Sequence, residues 1–274
     1  MQLINSLEYF AAARKLRNFF EGRGFIEVPT QSRLSILAAC EDPRTIATFN
    51  YAGNVWPLPQ TGQMWLEYEL LKNPGFPGYY CLSTSFREEP NPIPGRHDLI
   101  FPMFEFETHG DLSDLKRLEE DLLMSLGFYP ANYVAKNYLD VARHYGVDEL
   151  THVQETKIEK DFGPVFFLMN FPFYTSPFWN MKRWVYDTSS TVCARKIDVI
   201  LYGIETIGSA ERSTDPTEMR ESFHTISGGM YADILYSRFG RERVERELEE
   251  FLSLNFFPRI GGGIGMTRMI RALK

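Results

Sequence analysis

The sequence predicts an α+β fold, a mixed and largely antiparallel sheet flanked by helices. Three observations lead there. Strand-like segments follow one another through hairpins, as at 79–87 and 101–107. Helical patterns fall between groups of strands instead of after each one. The regular βαβα alternation of a doubly wound parallel sheet is missing. Of 274 residues, 44% are hydrophobic and 24% charged, enough apolar material for a sizeable core and too much for a disordered chain. No internal repeat or low-complexity linker divides the chain, so one domain over 1–274 is expected.

The elements follow in order. Residues 1–20 read as an amphipathic helix, with Leu7, Phe10, Ala11 and Leu16 on one side and Phe19 and Phe20 at its end. Gly22 and Gly24 break it, and Phe25, Ile26 and Val28 form a short strand ended by Pro29. Residues 41–59 are rich in turn formers, and 62–73 read as a helix closed by Pro74-Gly75. The strands 79–87 and 101–107 are joined by a long Pro/Gly loop. In the second, Phe104 and Phe106 alternate with Met103, Glu105 and Glu107, so the carboxylates share one face. Asp111 caps a helix over 111–126 with the stripe Leu112, Leu115, Leu118 and Leu122. Residues 164–171 form a buried strand, and 197–208 form two strands meeting near Tyr202-Gly203, or one bent strand. Residues 228–254 are mainly helical. A glycine-rich turn at 261–265 then opens a last helix, 266–273.

Charge and cysteine content exclude several classes. The net charge is −7 without a lysine-rich block, which disfavours a protein held on nucleic acid by a basic surface. Cys40, Cys81 and Cys193 are widely spaced with no CxxC pair, so neither a disulfide framework nor a zinc knuckle is expected, and a cytoplasmic setting is. No apolar run reaches the ~18 residues of a membrane span. Glu8, Arg14, Lys15 and Arg17 interrupt any signal-peptide core.

Three stretches carry chemistry. Phe86-Arg87-Glu88-Glu89, Arg96-His97 and Phe101 set a strand-end arginine, two further cations and an aromatic around one hairpin. Arginine can clamp a phosphate bidentately, and an aromatic can stack on a purine. Taken alone, the segment equally fits a charged surface hairpin. The glycines of 261–265 with Arg268 allow close backbone approach to a ligand, but fit neither a Rossmann fingerprint nor a P-loop. Asp198 and Glu205, on adjoining strand segments, suit a hard cation that also holds phosphate oxygens, or are a solvated pair.

In this order the three stretches resemble the signatures of class II aminoacyl-tRNA synthetases. Phe86-Arg87 with Glu89, followed by Arg96-His97 and Phe101, resembles motif 2. Gly263 to Arg268 resembles motif 3, and Arg23 to Thr30 resembles motif 1, the helix and strand of the dimer interface. The nearest subgroup is the aspartyl/asparaginyl/lysyl one. Cys40-Glu41, Gly62 to Glu67 and Glu205 to Arg212 resemble asparaginyl segments.

The resemblance implies roles for these residues. Arg87 and Arg268 are the catalytic pair, with Arg87 on the α-phosphate of ATP. Glu89 lies near the adenine or amino group, and Arg96 and His97 near the γ-phosphate. Phe101 and Arg268 sandwich the adenine. Asp198 and Glu205 bind Mg²⁺. Glu41, Gln63 and Arg212 line the amino-acid pocket. It also implies a homodimer. Three departures stand out. No anticodon-binding domain is expected ahead of motif 1, Thr267 replaces the acidic residue of motif 3, and Leu66 stands where aspartyl enzymes carry a lysine. The first departure, with the Gly-Gly-Gly-Ile-Gly ending and Lys160 to Phe166, resembles ammonia-dependent asparagine synthetases. The expected function is therefore ATP-dependent activation of a carboxylic or amino acid through an acyl-adenylate, followed by amide formation with ammonia or an amine. The alternative is aminoacyl transfer to tRNA or protein. tRNA is the less favoured partner, and no membrane is expected.

Overall fold

The computed structural model describes residues 4–31, 34–37, 43–94, 98–186 and 190–274. Helix α1 (Ser6–Glu21), capped by Asn5, leads into the short strand β1 (Ile26–Glu27). A small hairpin follows, β2 (Thr48–Tyr51) and β3 (Asn54–Pro57), within the segment rich in turn formers. Its turn places Ala52 and Gly53 at φ of 50° and 77°, the left-handed pair that matches strand twist.

Helix α2 (Gln63–Lys72) precedes the long hairpin of β4 (Gly78–Phe86) and β5 (Ile100–His109). Helix α3 (Leu112–Leu126) begins with a capping box at Asp111 and Asp114 and ends at the left-handed Gly127. Then come β6 (Tyr133–Asn137), α4 (Tyr138–Tyr145), α5 (His152–Phe162), β7 (Val165–Pro172) and β8 (Arg183–Tyr186). Strands β9 (Thr191–Leu201) and β10 (Ile204–Glu211) form a hairpin across Tyr202-Gly203, the two-strand form of the expected arrangement. Helices α6 (Pro216–Thr225), α7 (Met230–Phe239) and α8 (Arg241–Leu252) fill the helical stretch, and β11 (Arg259–Gly265) and α9 (Met266–Ala272) end the chain.

Among the described residues the main sheet has nine strands, in the order β1-β4-β5-β11-β10-β9-β7-β6, with β8 paired to β9. Among the described residues only β1·β4 and β6·β7 are parallel, so the sheet is mixed and largely antiparallel, as expected. Its back face packs on α1, α3 and α9. Phe20 of α1 sits there against Phe25, Phe104 and Phe106, with ring centres about 5 Å apart. The front face is covered on one flank by α2 and α6 to α8, and on the other by α4 and α5. Among the described residues no helix is long and apolar enough to cross a membrane.

Two expectations need correction. The buried side of α1 is Ala12, Ala13, Leu16, Phe19 and Phe20. Leu7 and Phe10 are 77% and 58% exposed, because only the 12/16/19 stripe can reach the sheet. The glycine run is not a turn but a strand at the centre of the sheet, bonded to β5 on one side and β10 on the other.

One acidic group lies inside the back face. Glu119 of α3 is fully buried, and its Oε1 accepts a 2.6 Å hydrogen bond from Ser209 Oγ of β10. Its Oε2 meets no hydrogen-bond partner among the described residues. Burial pushes this carboxyl up to about 8, against the pull of Ser209 and of the Lys116 charge, and with a push from Glu120. The native chain therefore holds a proton that the unfolded chain releases between about 4.5 and 8. The stabilising contribution is complete below 4.5 and lost as pH rises through 8. Glu119→Gln, which needs no proton, should flatten that loss. Urea midpoints at pH 6 and pH 9 should lie closer together in the variant than in the wild type.

Candidate functional site

Strand alternation and register assemble the front face. On β4, Cys81, Ser83 and Ser85 pair with Glu105, Met103 and Phe101 of β5, and Arg87 continues the same side one step past the strand end. Across the sheet, Glu105 pairs with Gly263, Gly263 with Gly208, and Gly208 with Asp198. The next row runs Glu107, Gly261, Ala210 and Lys196. Three strand spacings make each row ~14 Å wide. The middle positions carry at most a methyl group, and charged residues stand at both ends.

The glycines are needed because neighbours lean over them. A Cβ on Gly261 would lie 1.6 Å from Glu107 Oε2, and one on Gly263 3.1 Å from Gln63 Nε2. On the back, a Cβ on Gly262 would lie 2.6 Å from Ser209 Cβ.

The floor of this trough is a buried ion network. Arg212 donates from Nε to Glu107 Oε1 at 3.2 Å and from Nη2 to Glu107 Oε2 at 3.1 Å. It is 3.6 Å from Glu67 Oε1, and its Nη2 reaches Gln63 Oε1 at 3.5 Å. Arg259 closes the far side. Its Nε and Nη2 donate to Glu67 Oε2 at 2.9 and 2.7 Å, and its Nη1 to the Ser213 carbonyl at 3.0 Å. Asn180 Nδ2 donates to Glu67 Oε1 at 2.7 Å. Burial pushes Glu107 up to about 7; Arg212 opposes this and Glu67 adds to it. Glu105 is also raised by burial, against hydrogen bonds from Ser83, Thr61 and the Gly62 N–H and the charge of Arg87.

The carboxylate pair converges as well. Glu205 pairs with Ile200, a bulge follows before Ile207, and Asp198 pairs with Gly208. The bulge lets Glu205 and Gly208, three residues apart, share the front face. A Cβ on Gly208 would lie 3.1 Å from Glu205 Oε1 and 3.5 Å from Asp198 Oδ1, so both oxygens meet over the same bare backbone. Arg268, in the first turn of α9, donates from Nη1 to the Glu205 carbonyl at 2.7 Å and lies 3.6 Å from Glu205 Oε2. The Arg87 guanidinium is 5.5 Å from the Phe101 ring centre. Glu89 is half-buried in the loop that follows.

Of the expected site residues, Gln63 and Arg212 meet directly, as do Glu205 and Arg268, while Asp198 and Glu205 share Gly208. Glu41, Arg96 and His97 lie outside the described residues, as does Cys40. Leu66 is buried with Leu70, Tyr79 and Cys81 between α2 and β4, while Gln63 and Glu67 reach the ion network. Sequence reasoning missed Glu67 and Arg259 as partners, and Lys196 beside Asp198. Each had a usable signal. Glu67 is one helical turn from Gln63, and Arg259 and Lys196 stand two strand residues before Gly261 and Asp198.

Comparison with known proteins is consistent with this geometry. Residues 7–274 match the family model described as class II tRNA synthetases (D, K and N). The asparaginyl-tRNA synthetase of Pyrococcus horikoshii, solved with asparaginyl-adenylate, shares 20% identity at a TM-score of 0.77. The match covers 97% of this chain and 64% of that one. The Entamoeba histolytica asparaginyl-tRNA synthetase with asparaginyl-adenylate gives 14% and 0.74, covering 97% and 63%. A putative aspartyl-tRNA synthetase from Leishmania major Friedlin gives 14% and 0.74, covering 97% and 61%. The chain thus spans just under two thirds of these neighbours. Among curated proteins no match is found.

The close approach at Gly261 gives a direct test. Gly261→Ala forces the buried Glu107 carboxylate off Arg212 and meets the Phe106 carbonyl at 2.6 Å. Overpacking of this kind should cost about 3 kcal/mol, read as a lower urea midpoint at unchanged slope.

Proposed function

The chain belongs to the class II tRNA synthetases of the D, K and N group, and from that premise we propose that it is an AMP-forming amide ligase. A carboxylate oxygen of the acid attacks the α-phosphorus of ATP, and pyrophosphate leaves. The nitrogen of ammonia or an amine then attacks the acyl carbon of the adenylate, loses a proton, and AMP leaves. The acid is the side chain of aspartate or a related amino acid. What carries the reading is the convergence of Asp198 Oδ1 and Glu205 Oε1 over Gly208, on the same front face as Arg87 and beside Arg268.

The chain's own residues divide the work. Arg87, with Phe101 5.5 Å away, faces the α-phosphate and stabilises charge developing on its oxygens. Arg268 is held by Glu205 and stacks on the adenine from the side opposite Phe101. Glu89 serves the adenine or amino group, and the outer-phosphate roles fall to Arg96 and His97, outside the described residues. Gln63 and Arg212, with Glu41, receive the amino acid. Two oxygens over one glycine fit a Mg²⁺ ion, which keeps water and phosphate ligands beside one or two carboxylates. When bound, the ion neutralises charge on the ATP phosphates.

A second reading is aminoacyl transfer to tRNA or a protein, favoured by the aminoacyl-tRNA synthetase neighbours. One assay separates the two. ATP, Mg²⁺, aspartate and ammonium should yield AMP and an amide. AMP only on addition of tRNA would sink the ligase reading. In the same assay Arg87→Ala should lower the rate by roughly 10²–10³, the usual loss for one donor to developing charge. Its melting curve should stay unchanged, and near-normal AMP release would remove Arg87 from the site.

We also propose a homodimer. Leu7 and Phe10 of α1, with Ile4 just ahead of its cap, are exposed apolar side chains that a second copy can cover through residues ~5–30. Light scattering at micromolar concentration should give twice the 31.8 kDa chain mass, and the mass of one chain would refute it.

A further inference from the structure

Glu205 stands where strand β10 runs beyond its neighbour β11. Pairing of β10 with β11 begins at Ile207, and past Gly265 the chain turns into α9. Among the described residues Glu205 is therefore paired with β9 alone, opposite Ile200. Side chains from outside the sheet meet its main-chain groups. Its N–H donates to Glu155 Oε1 of α5, and its C=O accepts from Arg268 Nη1 of α9 at 2.7 Å.

The position of Glu155 follows from the packing of α5. A capping box at Thr151 and Gln154 starts the helix, and Glu155 lies in its first turn. Ile158 is buried in the same apolar group as Ile200, the residue opposite Glu205. The main chain of α5 also rests on the tip of the β9–β10 hairpin. A Cβ on Gly203, where φ is 74°, would lie 3.1 Å from the Thr156 carbonyl oxygen and 3.5 Å from that of Glu155.

This contact bears on the bulge between Glu205 and Ile207. The bulge brings Glu205 and Gly208 to one face, and a bulge takes main-chain groups out of the ladder. A slip of one residue there would turn Glu205 to the back of the sheet. A carboxylate that accepts the Glu205 N–H opposes that slip through a charge-assisted hydrogen bond. We propose that Glu155 is a positioning residue for Glu205, fixing the bulge so that Glu205 Oε1 stays over Gly208. The proposal rests on the nucleotide site argued above and deepens it, because α5 carries none of the residues assigned to that site.

The test is hydrogen–deuterium exchange of the full chain without nucleotide, read at the Glu205 amide, together with the KM for ATP in the AMP assay. In the wild type the Glu205 amide should exchange at least about tenfold more slowly than in an unstructured peptide. Glu155→Ala should lose that protection while the amides of α5 keep theirs, and should raise the KM for ATP at least about fivefold with a smaller change in kcat. Glu155→Gln keeps an acceptor oxygen without the charge, and should restore both. An unprotected Glu205 amide in the wild type would overturn the proposal, a result that needs no variant to fold. So would unchanged protection in Glu155→Ala, loss of protection that spreads through α5, or an unchanged KM in Glu155→Ala when Glu205→Gln lowers the rate. Failure of the nucleotide-site reading looks different: Glu205→Gln itself then leaves AMP formation unchanged.

Discussion

A strand nearly without side chains can hold the centre of a sheet only if its neighbours fill the space on both faces. Strand β11 meets that condition. Glu107 and Gln63 lean over Gly261 and Gly263 from the front, and Ser209 and Phe106 close on Gly262 from behind. Glycine in a strand interior loses more backbone entropy than other residues, so the strand is held by its two hydrogen-bonded neighbours and by this close packing. The same packing shapes the front face. With little but backbone in the middle, the charged side chains of β5 and β9 stand at the edges of a trough.

The ion network on the floor of that trough follows from burial. Glu67, Glu107, Arg212 and Arg259 are all at most 2% exposed, and none of them tolerates loss of its partner. Arg259 uses Nε and both terminal nitrogens on Glu67 and the Ser213 carbonyl. Glu67 is therefore committed to the structure and is further held by Asn180. Arg212 is the guanidinium that links this network to Gln63, at the entrance to α2. Because α2, β5, β11 and the residue just past the end of β10 each contribute one charged group, the network also fixes the helix against the sheet.

Much of this was legible in the sequence, and the parts that were not share a physical cause. The alternation of Phe104 and Phe106 with Glu105 and Glu107 reports a strand with one apolar and one charged face, and that is how β5 sits. Asp111 reports its helix start because capping is local chemistry. The ordered set Arg87, Phe101, Asp198, Glu205 and Arg268 resembled the signatures of one family, and the folded chain brings these residues to the front face of the sheet and the first turn of α9. The glycine run pointed to a turn, since glycine has little strand propensity and only tertiary neighbours explain its place. On α1, apolar residues occur on two stripes, and local periodicity cannot say which stripe the sheet covers. The spacing of Lys196 and Arg259 marks the face they share with Asp198 and Gly261, but not their burial, because burial of a charge is a property of the packed molecule. The Glu41, Arg96 and His97 expectations concern positions outside the described residues.

Among the described residues the front face therefore carries two groups of paired charges. Arg212 and Arg259 offset Glu67 and Glu107, and Lys196 and Arg268 flank Asp198 and Glu205. Such a site is already oriented, so the dipoles and charges facing the substrate need little rearrangement when charge develops. Glu107 adds one degree of freedom. Burial raises its carboxyl to about 7 even beside Arg212, so its charge, unlike that of the arginines, changes near neutral pH. Glu67, held by Arg259 on the far side of Arg212, stays fixed while that charge changes.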